Sequence, residues 1–178
     1  MASKSTDVEN VAAKVGEVSL SESKGSKSQR KIVIAIDASG HSERALRWYL
    51  NNFHRDGDHL FLFHAVELPT IPVIGSGELF YKETLNEIIK EKHEEIKKLT
   101  LKFELIIKKD NLSATFNARD GDPPGHNIVH YAREKDADCI VIGCRGLGSI
   151  RRTILGSTSD YVIHHAHLPV IVVPPVHH

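Results

Sequence analysis

Residues 143–158, GCRGLGSIRRTILGST, hold four glycines and four hydroxyl side chains between an apolar run and a helical pattern. The spacing is Gly143-x-x-Gly146, then nine residues, then Gly156-Ser157. Chemistry that suits this spacing is the cradling of an anion. Gly143 and Gly146 lack a Cβ, so the backbone can come close to a ligand and adopt dihedrals that present successive N–H groups. Gly156, Ser157 and Thr158 then open a helix, whose unpaired N–H groups and partial positive charge suit phosphate oxygens, with two hydroxyls as further donors. The alternative is a merely flexible loop.

Other nucleotide motifs fail on their geometric demands. No G-x-x-x-x-G-K-[ST] is present, so there is no P-loop lysine. A dinucleotide fingerprint would follow the first strand, where the chain reads DASGHS, and the later GLGSIR has Arg151 at the third glycine position. The 12 histidines raise a metal hypothesis, above all His126 and His130 at i, i+4 and the cluster His164, His165, His167. The first pair lacks the Glu of H-E-x-x-H and an evident third ligand, and the second group suits the carbonyl end of a helix, so no protein metal site is expected. Nucleophilic or hydrolytic catalysis lacks a recognisable base and orienter. His64 is expected to turn away from the site by strand parity. The two cysteines, Cys139 and Cys144, are not spaced as a C-x-x-C pair and are expected to be packed and inert.

The elements that must position the glycines follow from hydrophobic periodicity. KIVIAID (31–37) and CIVIG (139–143) are apolar without alternation, as strands buried on both faces should be. HLFLFHAV (59–66), SATFNAR (113–119, as an outer strand) and PVIVVP (169–174) complete a set of five. Between them lie helical patterns starting at Ser42, a proposed N-cap, from Glu78 to about Lys109 with a C-terminal end that is partly extended, from Asp122 as N-cap with Pro123 at the first helical position, and from Ser157 to His165. The order βαβαβαβαβ indicates a doubly wound α/β domain with a mostly parallel sheet and helices on both faces. The chain has 178 residues, enough for one domain with a continuous core. Residues 1–29 are polar and Ser/Lys-rich, which reads as a mobile tail before a domain over 30–175; residues 176–178, with His177 and His178, read as a terminal tail. Lys plus Arg and Asp plus Glu number 23 each, so no net positive field draws the chain to nucleic acid or an anionic membrane. No membrane span or leader is apparent, and a cytoplasmic protein is expected.

The glycine spacing, Asp37 at the end of the first strand, FHAVE ending the second, GDP (121–123) and LPVIVVP (168–174) together resemble the ATP-binding branch of the universal stress protein family over about residues 30–175. That resemblance implies a Rossmann-like fold of the adenine nucleotide alpha hydrolase type, with a five-stranded parallel sheet ordered 3-2-1-4-5. Its winding reverses between the strands that end at Asp37 and Gly143, and ligands of such sheets bind beyond the carboxyl ends at this point. The resemblance further implies that Asp37 bonds ribose hydroxyls, that the backbone of Val66 reads the adenine edge, and that Ile36 and Ile142 give apolar contacts. Gly143, Gly146, Gly156, Ser157 and Thr158 would serve the phosphates, with Arg145 either a phosphate partner or a solvated side chain. Asp37 has a second reading as a cap of the following turn. Arg151 and Arg152 read as surface charge. The cofactor implied is ATP, or AMP or ADP, with any Mg²⁺ or Mn²⁺ carried mainly by the phosphates. A homodimer through the last strand is also implied. The expected function is nucleotide-dependent regulation in a stress response; the alternatives are a slow ATPase or phosphotransferase, and an interaction scaffold with an empty site.

Overall fold

The computed structural model describes residues 17–19, 29–69, 78–144 and 155–175. Within these, the elements in chain order are β1 (Glu17–Ser19), β2 (Lys31–Ala35), α1 (Gly40–Asn52), β3 (His59–Ala65), α2 (Glu78–Lys109), β4 (Ser113–Arg119), α3 (Pro124–Glu134), β5 (Cys139–Gly143), α4 (Ser157–His165) and β6 (Val170–Val173). They form one sheet in the order β1-β4-β3-β2-β5-β6. All pairs among β2 to β6 are parallel, and these five strands, counted among themselves, run 3-2-1-4-5 as expected. The sixth strand is a departure. Glu17–Ser19, placed by sequence in a mobile tail, pair antiparallel with β4 in the register Val18 to Phe116. SATFNAR is therefore an inner strand. The rest of 1–29, apart from Gln29, lies beyond the described residues.

Both faces of the sheet are covered, which is why β2 and β5 read as continuous apolar runs. Ile32, Ile34, Leu60, Leu62 and Phe116 pack with Leu46 and Tyr49 of α1 and Ile96 and Phe103 of α2 on one face. Val33, Phe63 and Ile140 pack with Ile128, Tyr131 and Ala132 of α3 and Val162 of α4 on the other. Gly125 lets these two helices touch: a Cβ there would lie 2.8 Å from Tyr161 Cδ1.

Helix starts differ from the sequence reading by up to three residues. The cap of α1 is Ser39, whose side chain accepts from His41 N–H, while Ser42 is buried in the first turn with its hydroxyl donating to the Asp37 carbonyl at 2.8 Å. Helix α3 starts at Pro124 behind Pro123, and Asp122 supplies no cap. FELIIKK is helical to Lys109, without an extended stretch. With 32 residues, α2 is about 48 Å long, whereas the seven-residue β3 and β4 span about 24 Å. Only its second half is needed to cover the sheet, so its first half rises past the carboxyl ends of the strands. Among the described residues, no helix is long and apolar enough to cross a membrane.

Candidate functional site

Strand β2 has β3 on one side and β5 on the other. The chain leaves β2 through α1 to one face and leaves β5 towards α4 on the other, so the winding reverses between their carboxyl ends, where a crevice forms in sheets of this kind. Asp37 follows β2 and Gly143 ends β5, as expected. The Asp37 carboxylate is half-buried and its Oδ1 accepts from Ser39 N–H at 2.9 Å and from the Ser39 hydroxyl. The turn-capping role of Asp37 is thus present, and it fixes the carboxylate at the head of α1.

The end of β3 corrects the expectation for Val66. Alternate residues of a strand address opposite neighbours. Ile36 N–H donates to Phe63 O at 2.8 Å, so Phe63 faces β2; Val66 N–H donates to Arg119 O at 2.6 Å, so Val66 faces β4. The Val66 amide is spent inside the sheet, and its side chain is 3% exposed. Ala65, between them in phase with Phe63, turns its N–H and C=O towards β2 where that strand has ended. Its N–H meets no acceptor among the described residues. The run 59–66 hides this parity, because Phe63, Ala65 and Val66 are all apolar and a hydrophobicity pattern does not tell which neighbour each addresses.

His64 was expected to turn away and does not. Its Nδ1 donates to the Ile36 carbonyl at 3.0 Å, one residue before Asp37. Burial holds this imidazole below its usual value, helped by Lys92 and opposed by the Ile36 carbonyl, Asp37 and Glu95. It is neutral at neutral pH, with the proton on Nδ1, since a carbonyl can only accept.

The glycines divide by cause. A Cβ on Gly143 would lie 2.5 Å from the carbonyl oxygen of His41, so the close approach of β5 to the first turn of α1 is by itself enough to require this glycine. Gly156 is different: a Cβ there would meet only Ser159 Oγ, at 3.8 Å. It is the N-cap of α4 and, having no side chain, makes no capping hydrogen bond. Among the described residues, the first amides of α4 have no partner at the helix's positive end. Ser157 is exposed and Thr158 half-buried at this end, while Ser159 turns back to donate to the Gly156 carbonyl at 2.9 Å. Arg145, Gly146, Arg151 and Arg152 lie outside the described residues. Ile36 and Ile142 are 4% and 5% exposed and belong to the clusters on opposite faces of the sheet. Cys144 and Cys139 are buried free thiols, and burial pushes Cys139 up to about 11.

His126 and His130 stack on the exposed face of α3 and approach Asp122 and Glu134 at 3.4 and 3.0 Å. His164 and His165 bond the carbonyls of Asp160 and Tyr161 in the last turns of α4. Among the described residues, no group of three or more His, Cys, Asp or Glu is placed to hold a metal ion.

Comparison with known proteins agrees with this architecture. A universal stress protein of Methanocaldococcus jannaschii is 31% identical over 147 residues, covering 81% of this chain and 81% of its own. The structure of universal stress protein UspA from Lactobacillus plantarum superposes with a TM-score of 0.65 at 23% identity, over 83% of this chain and 99% of that one. A universal stress protein family member from Arabidopsis thaliana, solved with AMP bound, superposes with a TM-score of 0.58 at 21% identity, over 83% of this chain and 92% of its own. The family model described as universal stress protein matches residues 29–174, and with the five-strand order and the relative at 31% identity this establishes that the chain belongs to the universal stress protein family.

Proposed function

We propose that this chain is a cytoplasmic, adenine-nucleotide-binding regulatory protein of the stress response, in which ATP, ADP or AMP biases the conformation or pairing of the domain and is not consumed. The observation that carries the reading is the winding reversal itself, with the Asp37 carboxylate at the end of β2 and the uncapped, glycine-opened N-terminus of α4 after β5. The sugar would bond Asp37, the phosphates the amides after Gly156 with the Ser157 and Thr158 hydroxyls, and the adenine edge the N–H and C=O of Ala65. Ala65 offers a donor and an acceptor side by side, the complement of adenine N1 and N6. The AMP-bound Arabidopsis relative supports an adenine nucleotide as the ligand class. Mg²⁺ or Mn²⁺ would be held chiefly by phosphate oxygens and would neutralise their charge. The chain would form a homodimer through β6, whose one neighbour in the sheet among the described residues is β5.

Native mass spectrometry with added ATP tests the whole reading at once. One nucleotide mass per subunit on a two-subunit ion is expected. A spectrum that stays free of nucleotide at millimolar ATP would contradict it.

A further inference from the structure

The last main-chain rung between β2 and β3 runs from Ile36 N–H to Phe63 O at 2.8 Å. A parallel ladder continued by one step would join Ala65 N–H to the Ile36 carbonyl. That carbonyl instead receives the proton of His64 Nδ1, at 3.0 Å. The imidazole thus occupies the acceptor that the Ala65 amide would otherwise use, and the Ala65 N–H has no acceptor among the described residues.

We propose that His64 is a positioning residue that stops the β2–β3 ladder one rung short and so keeps the Ala65 N–H and C=O available to read the edge of the base. This rests on the nucleotide-binding reading above and assigns a cause to its base specificity. A buried carbonyl stripped of its donor is costly, so the Ile36 oxygen will take the nearest alternative when the imidazole is absent. That alternative is the Ala65 amide, two residues along β3 from the rung already formed. Removing His64 therefore closes the sheet by one rung and consumes the donor meant for adenine N1, with little loss of fold stability. Asn at position 64 carries an amide nitrogen at the same distance from Cβ as Nδ1 and can hold the carbonyl in its place. Leu cannot. The bond does not depend on the charge of the ring, because Nδ1 carries a proton in both the neutral and the protonated form that donates here.

The test compares ATP with inosine triphosphate, whose N1–H and O6 reverse the donor and acceptor order of the adenine edge. Calorimetry on the full chain should give wild-type protein a preference for ATP of about tenfold, the worth of a two-bond base contact. His64→Leu should bring that ratio near one by weakening ATP alone, and His64→Asn should restore it. Amide hydrogen exchange gives a readout without nucleotide: Ala65 should exchange fast in wild type and slowly in His64→Leu, while Phe63 stays protected in both. An unchanged ATP preference in a folded His64→Leu protein, or equal Ala65 exchange in the two, would overturn the role of His64. Should the Leu variant fail to fold, slow Ala65 exchange in the free wild type would overturn it alone, and fast exchange that slows on adding ATP would support it. Absence of nucleotide binding to the wild type would instead refute the reading of the site, and the exchange comparison would still decide whether His64 holds the ladder open.

Discussion

One carboxylate oxygen of Asp37 holds the turn into α1. Asp37→Asn keeps an acceptor for the Ser39 amide but removes the charge, so it separates the turn from the sugar contact. It should weaken ATP binding by about tenfold, the difference between a charged and a neutral acceptor, with the melting temperature unchanged. A 2′,3′-dideoxy nucleotide should bind both forms alike, which titration calorimetry can check. Gly143 and Gly156 make a second contrast. Gly143→Ala forces a Cβ to within 2.5 Å of the His41 oxygen and should destabilise the fold by about 1–3 kcal/mol in chemical denaturation. Gly156→Ala meets nothing closer than 3.8 Å and should leave stability alone while lowering nucleotide affinity. The glycine spacing was visible in the sequence, but its causes were not, because a glycine crowded by a carbonyl of its own fold, as Gly143 is, and one with open space around it, as Gly156 is, are spelled the same way. The Val66 amide, spent on Arg119, and His64, bonded to the Ile36 carbonyl, depart from expectation for a related reason: strand parity depends on which rung ends the ladder.

At the opposite end of the sheet, the elements are tied by a buried acid. Asp58, 3% exposed, receives Arg30 Nε and Nη2 at 2.7 Å each, the Arg55 amide at 2.8 Å and the Tyr49 hydroxyl, joining the start of β2 to α1 and to the turn before β3. Burial pushes the Asp58 carboxyl up, but the hydrogen bonds from Arg30, Tyr49 and Arg55 outweigh it and hold the group below its ordinary value. A carboxylate lowered in the folded state contributes stability that is complete above its unfolded value of about 4 and is lost as the pH falls through the folded one. Wild-type protein should therefore lose melting temperature below about pH 4, and Asp58→Asn should show a smaller drop over the same range. At neutral pH, Asp58→Ala should cost about 3–5 kcal/mol, since it strands the Arg30 charge. Strands and helices were the most legible level of the sequence: β2 and β5 are unbroken apolar runs because both their faces are covered. Helix starts were less so. In DASGHS the two serines are equivalent on paper, and only the Asp37 turn makes Ser39 the cap and buries Ser42.

For the molecule as a whole, the two edges of the sheet are handled differently. The β4 edge is covered by three residues of β1 from the N-terminal segment, whereas β6 has one neighbour among the described residues and is the edge proposed to pair with a second copy. Nothing in a short stretch such as EVS marks it as a strand, because an edge strand of three residues has no periodicity to read. Val18→Pro removes an amide and the freedom to stay extended in register with Phe116. It should speed amide exchange along β4 and raise self-association in light scattering, as expected of an uncovered edge. The most direct test of the central claim is a crystal structure of the protein grown with ATP. The base should lie against the Ala65 main chain, the ribose on Asp37 and the phosphates at the N-terminus of α4. Nucleotide bound away from the β2–β5 crevice, or a crevice that stays empty at saturating ATP, would contradict it.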